Sequence, residues 1–163
     1  MRKQLRSLEE SDWPCVKSIY TEGIETGIAT LETSSPSYKE WDERHLPFGR
    51  LVLEMNEIVG WAALSPVSNR CVYGGVAEVS VYVSRKFYGN GFGKELLQGL
   101  IDESEKNGIW TLIAGIFPEN VASCKLHEKM GFRLIGTQEK ISKLNDVWMD
   151  VRRYERRSTK VGL

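Results

Sequence analysis

The sequence predicts an α/β protein, with a mixed central sheet of about six to seven strands and helices on both faces. Three observations carry that prediction. The 163 residues fit one ordinary domain, taken here as 1–163. Apolar residues alternate in some segments and recur every third or fourth position in others. The two kinds of segment interleave in the order β-α-α-β-β-β-α-β-α-β-β, which a sheet covered on both faces packs most simply.

Residues 2–8 read as a short strand. Asp12 is placed to cap a helix carrying Val16, Ile19, Tyr20 and Ile24, with Gly23 and Gly27 weakening its end. Ser35-Pro36 opens a second helix through Trp41 towards His45, since proline suits a first helical turn. Residues 50–55 and 58–65 are strands joined tightly at Asn56-Glu57, so the sheet begins with an antiparallel hairpin. Residues 76–83, VAEVSVYV, are the clearest strand. A basic, Gly-rich loop follows, and then a helix from Gly91 to Lys106 built on Leu96, Leu97, Leu100 and Ile101, stopped by Gly108. Residues 110–117 form an apolar strand, and Asn120 to Met130 a short helix closed by Gly131. Phe132–Ile141 and Val147–Tyr154 are the last two strands, and the basic tail, 155–163, is expected to fray.

Composition narrows the function. Lys and Arg number 22 against 22 Asp and Glu, a balance that argues against a general nucleic-acid binder. No stretch approaches the roughly 18 apolar residues of a membrane span. The N-terminus turns acidic before any apolar run develops, unlike a signal peptide. Cys15, Cys71 and Cys124 are odd in number and far apart, with no CxxC or Cys/His cluster. That pattern disfavours disulfides and metal sites and points to a reduced, cytoplasmic protein with buried thiols.

Two segments carry chemistry. On the strand at 76–83, Ala77, Val79, Val81 and Val83 share one apolar face, while Glu78, Ser80 and Tyr82 share the other. A carboxylate, a hydroxyl and a phenol therefore line either a cleft or an ordinary wet face with Glu78 in a salt bridge. In the loop that follows, Gly89, Gly91 and Gly93 allow a sharp turn and close ligand approach. The first N–H groups of the next helix lack internal partners and suit a phosphate, with Lys94 adding charge. A plain helix-entry loop would have the same glycines. A Walker loop fails because Glu95 follows Lys94 and Tyr88 stands where a glycine is needed; a dinucleotide fingerprint fails because Lys94 stands where its third glycine should be.

Together the strand VAEVSVYV, the loop YGNGFGKELL and the segment AGIFPENVASCKLHEKMGF resemble the GCN5-related N-acetyltransferases, the GNAT fold. Within that superfamily, ATLET at 29–33, SPVSNRCVY at 65–73, EVSVYV at 78–83 and LHEKMGF at 126–132 are similar to the phosphinothricin acetyltransferase-like branch. The resemblance spans about residues 3–154. It implies acetyl-CoA as co-substrate and direct transfer to the amine of a small amino-acid-like acceptor, of the phosphinothricin or methionine sulfoximine type. A GNAT acting on a protein or peptide amine, and a CoA-binding module without catalysis, are the alternatives. It also implies a homodimer, with neither nucleic acid nor membrane as partner.

For the cofactor, the resemblance assigns the pyrophosphate to the amides of the loop Gly89, Asn90, Gly91, Phe92, Gly93 and Lys94. Gly91 and Gly93 match the family's pattern, and Tyr88 departs from it. Val81, Tyr82 and Val83 would pair with the pantetheine arm, and Asn120 would contact it or serve simply as a helix N-cap, or both. Glu78 matches the base that deprotonates the amine. His127 is a second proton-transfer candidate, or else a half-buried helix histidine. Leu31, Ser80, Arg70 and Tyr73 are the implied acceptor residues, Arg70 reading an acid group through its bidentate fork or standing free on a surface loop. Leu31 in place of a phenylalanine, and Ser68 where a second cation is common, depart from the branch.

Overall fold

The computed structural model describes residues 2–163. Seven strands form one sheet: β1 (Gln4–Ser7), β2 (Leu51–Glu54), β3 (Ile58–Pro66), β4 (Val76–Val83), β5 (Thr111–Ile116), β6 (Arg133–Leu144) and β7 (Val147–Arg157). The helices are α1 (Trp13–Glu25), α2 (Tyr38–Arg44), α3 (Phe92–Lys106) and α4 (Val121–Lys129). The sheet order is β1-β2-β3-β4-β5-β7-β6, and every pair is antiparallel except β4 with β5. The element order is the one the periodicities predict.

The core lies on both faces of β3 and β4. α3 sets Leu96, Leu97, Leu100 and Ile101 against Leu53, Ala62, Leu64, Ala77 and Val79. Each fully buried leucine there contributes about 1.5–3 kcal/mol. On the opposite face α1 and α2 bring Val16, Ile19 and Trp41 against Val52, Trp61 and Ala63. β3 is buried on both sides, which is why IVGWAALS reads as a continuous apolar run instead of an alternation. Tyr82, on the same face of β4 as Glu78 and Ser80, stacks on its cross-strand partner Trp61, with ring centroids 4.8 Å apart, and on Tyr20, 5.0 Å away. Gly23, which breaks the helical pattern of α1, makes that stack possible: a Cβ there would lie 2.6 Å from the Tyr82 ring.

β4 and β5 stay together only briefly. They pair at Val76–Thr111, Ala77–Leu112 and Glu78–Ile113, and then part. β3 continues beside β4 as far as Val83, and β7 continues beside β5 as far as Ile116. The N–H of Ser84 donates to Val59 O at 2.8 Å. Counting back by twos from that narrow pair, Tyr82, Ser80 and Glu78 commit their backbone groups to β3. Val79, Val81 and Val83 turn theirs towards the parting strand.

Several expectations change. The cap of α2 is Ser37, whose Oγ accepts from Glu40 N at 3.2 Å, so Ser35-Pro36 lies in the approach to the helix. β6 runs past Ile141 to Leu144 after an irregularity at 138–142, and turns through Asn145 and Asp146, both at positive φ. The tail, expected to fray, has partners in the fold. β7 continues to Arg157, Ser158 is buried and donates to Glu105, and Arg157 Nη1 donates to Val161 O at 3.0 Å, hooking the chain back. Of the thiols, only Cys124 is buried; Cys15 and Cys71 are exposed.

The start of the parting pair depends on Gly75, whose carbonyl accepts from Trp110 N at 2.8 Å and Thr111 N at 3.1 Å. A Cβ at Gly75 would fall 2.0 Å from the Trp110 ring. Gly75→Ala should therefore cost about 1–3 kcal/mol, the usual range for overpacking, read as a lower urea midpoint at unchanged slope.

Candidate active site

The parting of β4 from β5 creates two connected spaces. An outer cleft of about 810 Å³ runs from the Gly-rich loop along β4 and α4. An inner cavity of about 300 Å³ lies between β4, β5 and β7 under the segment 29–32. Val81, Tyr82, Asn120, Ser123 and His127 line both, so the two meet there.

The outer end has the features that suit an anion. Gly89 and Gly91 sit at φ 81 and 76, a region that favours glycine, with open space where a side chain would project. Gly91 caps α3 without any side-chain cap, and the first intrahelical bond is Glu95 N to Gly91 O. The amides of Phe92, Gly93 and Lys94 are thus left for a ligand, at the positive end of a 15-residue helix. Lys94, Lys125 and Lys129 line the same cleft. Among the described residues none of the three is in an ion pair. Asn90 lines neither space; its Nδ2 donates to Phe87 O at 3.0 Å and so braces the loop.

Val81 and Val83 turn unpaired backbone groups towards the cleft. Tyr82 contributes its ring, because its backbone faces β3. Burial pushes the Tyr82 hydroxyl well above the ordinary phenol range, so it stays neutral. Asn120 caps α4, its Oδ1 accepting from Ser123 N at 3.3 Å, which leaves its amide N–H groups for the cleft.

At the junction His127 is 5% exposed and packs edge-on against Phe132 at 5.1 Å. Its Nδ1 donates to Ser123 O at 2.7 Å, which fixes the tautomer and leaves Nε2 as an acceptor. Burial holds its pKa below the usual imidazole value, partly offset by that hydrogen bond.

Glu78, Ser80 and Leu31 line the inner cavity. Leu31 packs against the cluster of Phe117, Leu144 and Val151. Burial raises the Glu78 carboxyl pKa above the ordinary carboxylate range, and Arg153, 4.0 Å away, opposes the rise. Arg70 and Tyr73 are not brought to either space: both are exposed on the β3–β4 connection, the Arg70 guanidinium 5.6 Å above the Tyr73 ring. Arg153, Lys125 and Lys129 line these spaces without belonging to any of the motifs read from the sequence. The i, i+4 spacing of the two lysines was a usable signal; nothing local ties Arg153 to Glu78.

The profile of the Acetyltransferase (GNAT) family matches residues 3–132. The L-methionine sulfoximine/L-methionine sulfone acetyltransferase of Salmonella typhimurium (strain LT2) is 28% identical over 153 residues, covering 90% of each chain. Two crystal structures superpose with TM-score 0.89. One is a GNAT superfamily phosphinothricin acetyltransferase from Sinorhizobium meliloti in complex with AcCoA, 28% identical, covering 99% of this chain and 91% of that one. The other is a ribosomal-protein-alanine N-acetyltransferase from Brucella melitensis, 29% identical, covering 95% of this chain and 99% of that one. The chain belongs to the GNAT family and is an acetyl-CoA-dependent N-acetyltransferase.

A valine forced to the positive φ of Gly91 is strained by about 1–3 kcal/mol and projects into the space a diphosphate would need. Gly91→Val should weaken coenzyme A binding about tenfold or more, measured by calorimetry, with the folded far-UV spectrum retained.

Proposed function

We propose that the enzyme transfers acetyl from acetyl-CoA to the primary amine of a small amino-acid-like acceptor, by direct attack with Glu78 as the base. The observation that carries this reading is the meeting of the two spaces at Val81, Asn120 and His127, with Glu78 inside the smaller one. A volume of about 300 Å³ is at the lower end of small-molecule sites and suits an acceptor of amino-acid size. The names of the Salmonella and Sinorhizobium proteins support the same class, methionine sulfone- or phosphinothricin-like compounds.

Bound acetyl-CoA supplies the acyl carbon as a thioester. The amides of Phe92, Gly93 and Lys94 hold its diphosphate, with Lys125 and Lys129 nearby, and Val81 and Val83 bind its arm as an added strand. Free amine of lysine-like pKa is only about one molecule in 2,500 at pH 7, a deficit of about 4.6 kcal/mol. Glu78 removes that proton, and its raised pKa makes it a better proton acceptor than an ordinary carboxylate. The amine nitrogen then bonds to the acyl carbon, and the developing oxyanion lies against the N–H of Val81. His127, neutral with Nε2 free, takes the second proton from the tetrahedral nitrogen and returns it to sulfur as the C–S bond breaks. One proton leaves through Glu78 and one ends on the thiol, so the step balances and needs no acyl-enzyme.

A peptide amine is the second reading, favoured by the name of the Brucella neighbour. Release of free CoA thiol across amino acids, their sulfone and phosphinate analogues, polyamines and short peptides separates the two. Turnover confined to peptides would overturn the small-acceptor reading. The homodimer and the cytoplasmic location belong to the same proposal. Exposed Leu134, Ile135, Ile141 and Trp148 on β6 and β7 support the first, and the unpaired exposed Cys15 and Cys71 support the second.

Glu78→Gln should lower kcat by roughly 100-fold or more at neutral pH while leaving the Kd for coenzyme A nearly unchanged. Its effect on stability has the opposite sign. A carboxyl whose folded pKa is raised favours folding below its unfolded value and loses that contribution as pH rises through the folded value. The variant should therefore gain in Tm over wild type at pH 7 and lose that advantage near pH 4. His127, with its pKa lowered, works the other way: its contribution is present above the ordinary imidazole value and is lost as pH falls through the folded one. His127→Gln should flatten the fall in stability between pH 7 and 5, followed by thermal melts.

A further inference from the structure

We infer that Arg153 anchors the α-carboxylate of the acceptor while Glu78 beside it receives the α-amine, so that the enzyme selects α-amino acids over plain amines. The inference deepens the small-acceptor reading and rests on it.

Among the described residues, Arg153 is the only lysine or arginine lining the inner cavity. Its Nε donates to Gln138 Oε1 at 2.6 Å, which sets the plane of the guanidinium from β6. The two terminal nitrogens make no hydrogen bond among the described residues, and the side chain keeps 36% of its exposure. A guanidinium so held keeps a fork of donors free, the geometry that grips a carboxylate in two places. Nη1 stands 4.0 Å from Glu78 Oε2, too far for a hydrogen bond between them. An ammonium and a carboxylate on one carbon match that pair in both sign and spacing. The ammonium falls to Glu78 and the carboxylate to Arg153, which places the nitrogen beside its base.

Gly115 makes room for this. It pairs with Arg153 across β5 and β7, and a Cβ there would lie 2.7 Å from Nη1. The other carboxylate lining the cavity, Glu32, faces Arg44 at 3.9 Å, outside the set of lining residues. Arg70, assigned the acid-reading role by resemblance, lines neither space.

The test compares methionine sulfone with 3-(methylsulfonyl)propan-1-amine, the same side chain without its carboxylate. For the wild-type enzyme kcat/KM should favour the amino acid. Arg153→Gln should raise KM for methionine sulfone at least tenfold more than for the amine, with KM for acetyl-CoA unmoved. Arg153→Lys should restore part of the difference. Gly115→Ala, which crowds the guanidinium without removing it, should reproduce the loss. If Arg153 only tethers Glu78, both acceptors lose equally, and kcat falls with a shifted acid limb of the pH profile; that result overturns the inference and leaves the small-acceptor reading standing. A wild-type enzyme that turns over the amine as readily as the amino acid overturns the inference before any variant is made, and leaves the small-acceptor reading standing.

Discussion

The separation of β4 from β5 after Glu78 and Ile113 governs the rest of the molecule. A parallel pair that continued to Val83 would satisfy its own ladder and leave no room between the strands. Because the pair stops, Val81 and Val83 carry backbone donors and acceptors with no strand to receive them. Buried polar backbone without a partner is costly, and an extended ligand arm or water relieves it. The two spaces, their junction and the placing of α4 across the opening all follow from that one break in pairing.

The flanking layers hold the opening in place. On one face α3 is packed by four buried aliphatic side chains, so its N-terminus cannot drift from the end of β4. On the other, the stack of Tyr20, Tyr82 and Trp61 fixes the rim, and Gly23 is the concession the helix makes to it. Charge is sorted along the same axis. Three lysines surround the outer cleft, while Glu78 and Arg153 face each other within the inner cavity. The outer cleft thus suits an anion, and the inner cavity suits a group carrying both signs.

Much of the fold is legible in the sequence. α3 and β4 follow from periodicity alone, and Gly91 and Gly93 mark the turn between them. The face shared by Glu78, Ser80 and Tyr82 was also legible, although Tyr82 spends its ring partly on an aromatic stack. Other features were not. The tail looks like a solvated basic end because its partners, Trp110 and Glu105, are about fifty residues away. Asn90 reads as part of a phosphate loop, and only the structure shows its side-chain amide bracing that loop through the Phe87 and Tyr88 carbonyls. Arg70 matched by resemblance, yet its loop stacks it on Tyr73 at the surface.

What the sequence determined by itself is what short-range physics decides: which segments are strands or helices, which face of each is apolar, and where glycine permits a positive φ. Only the tertiary structure decided where the sheet splits and which side chains meet across the split. Arg153 reaches Glu78 because β7, not β6, lies beside β5, and that order depends on long-range pairing that no local pattern encodes.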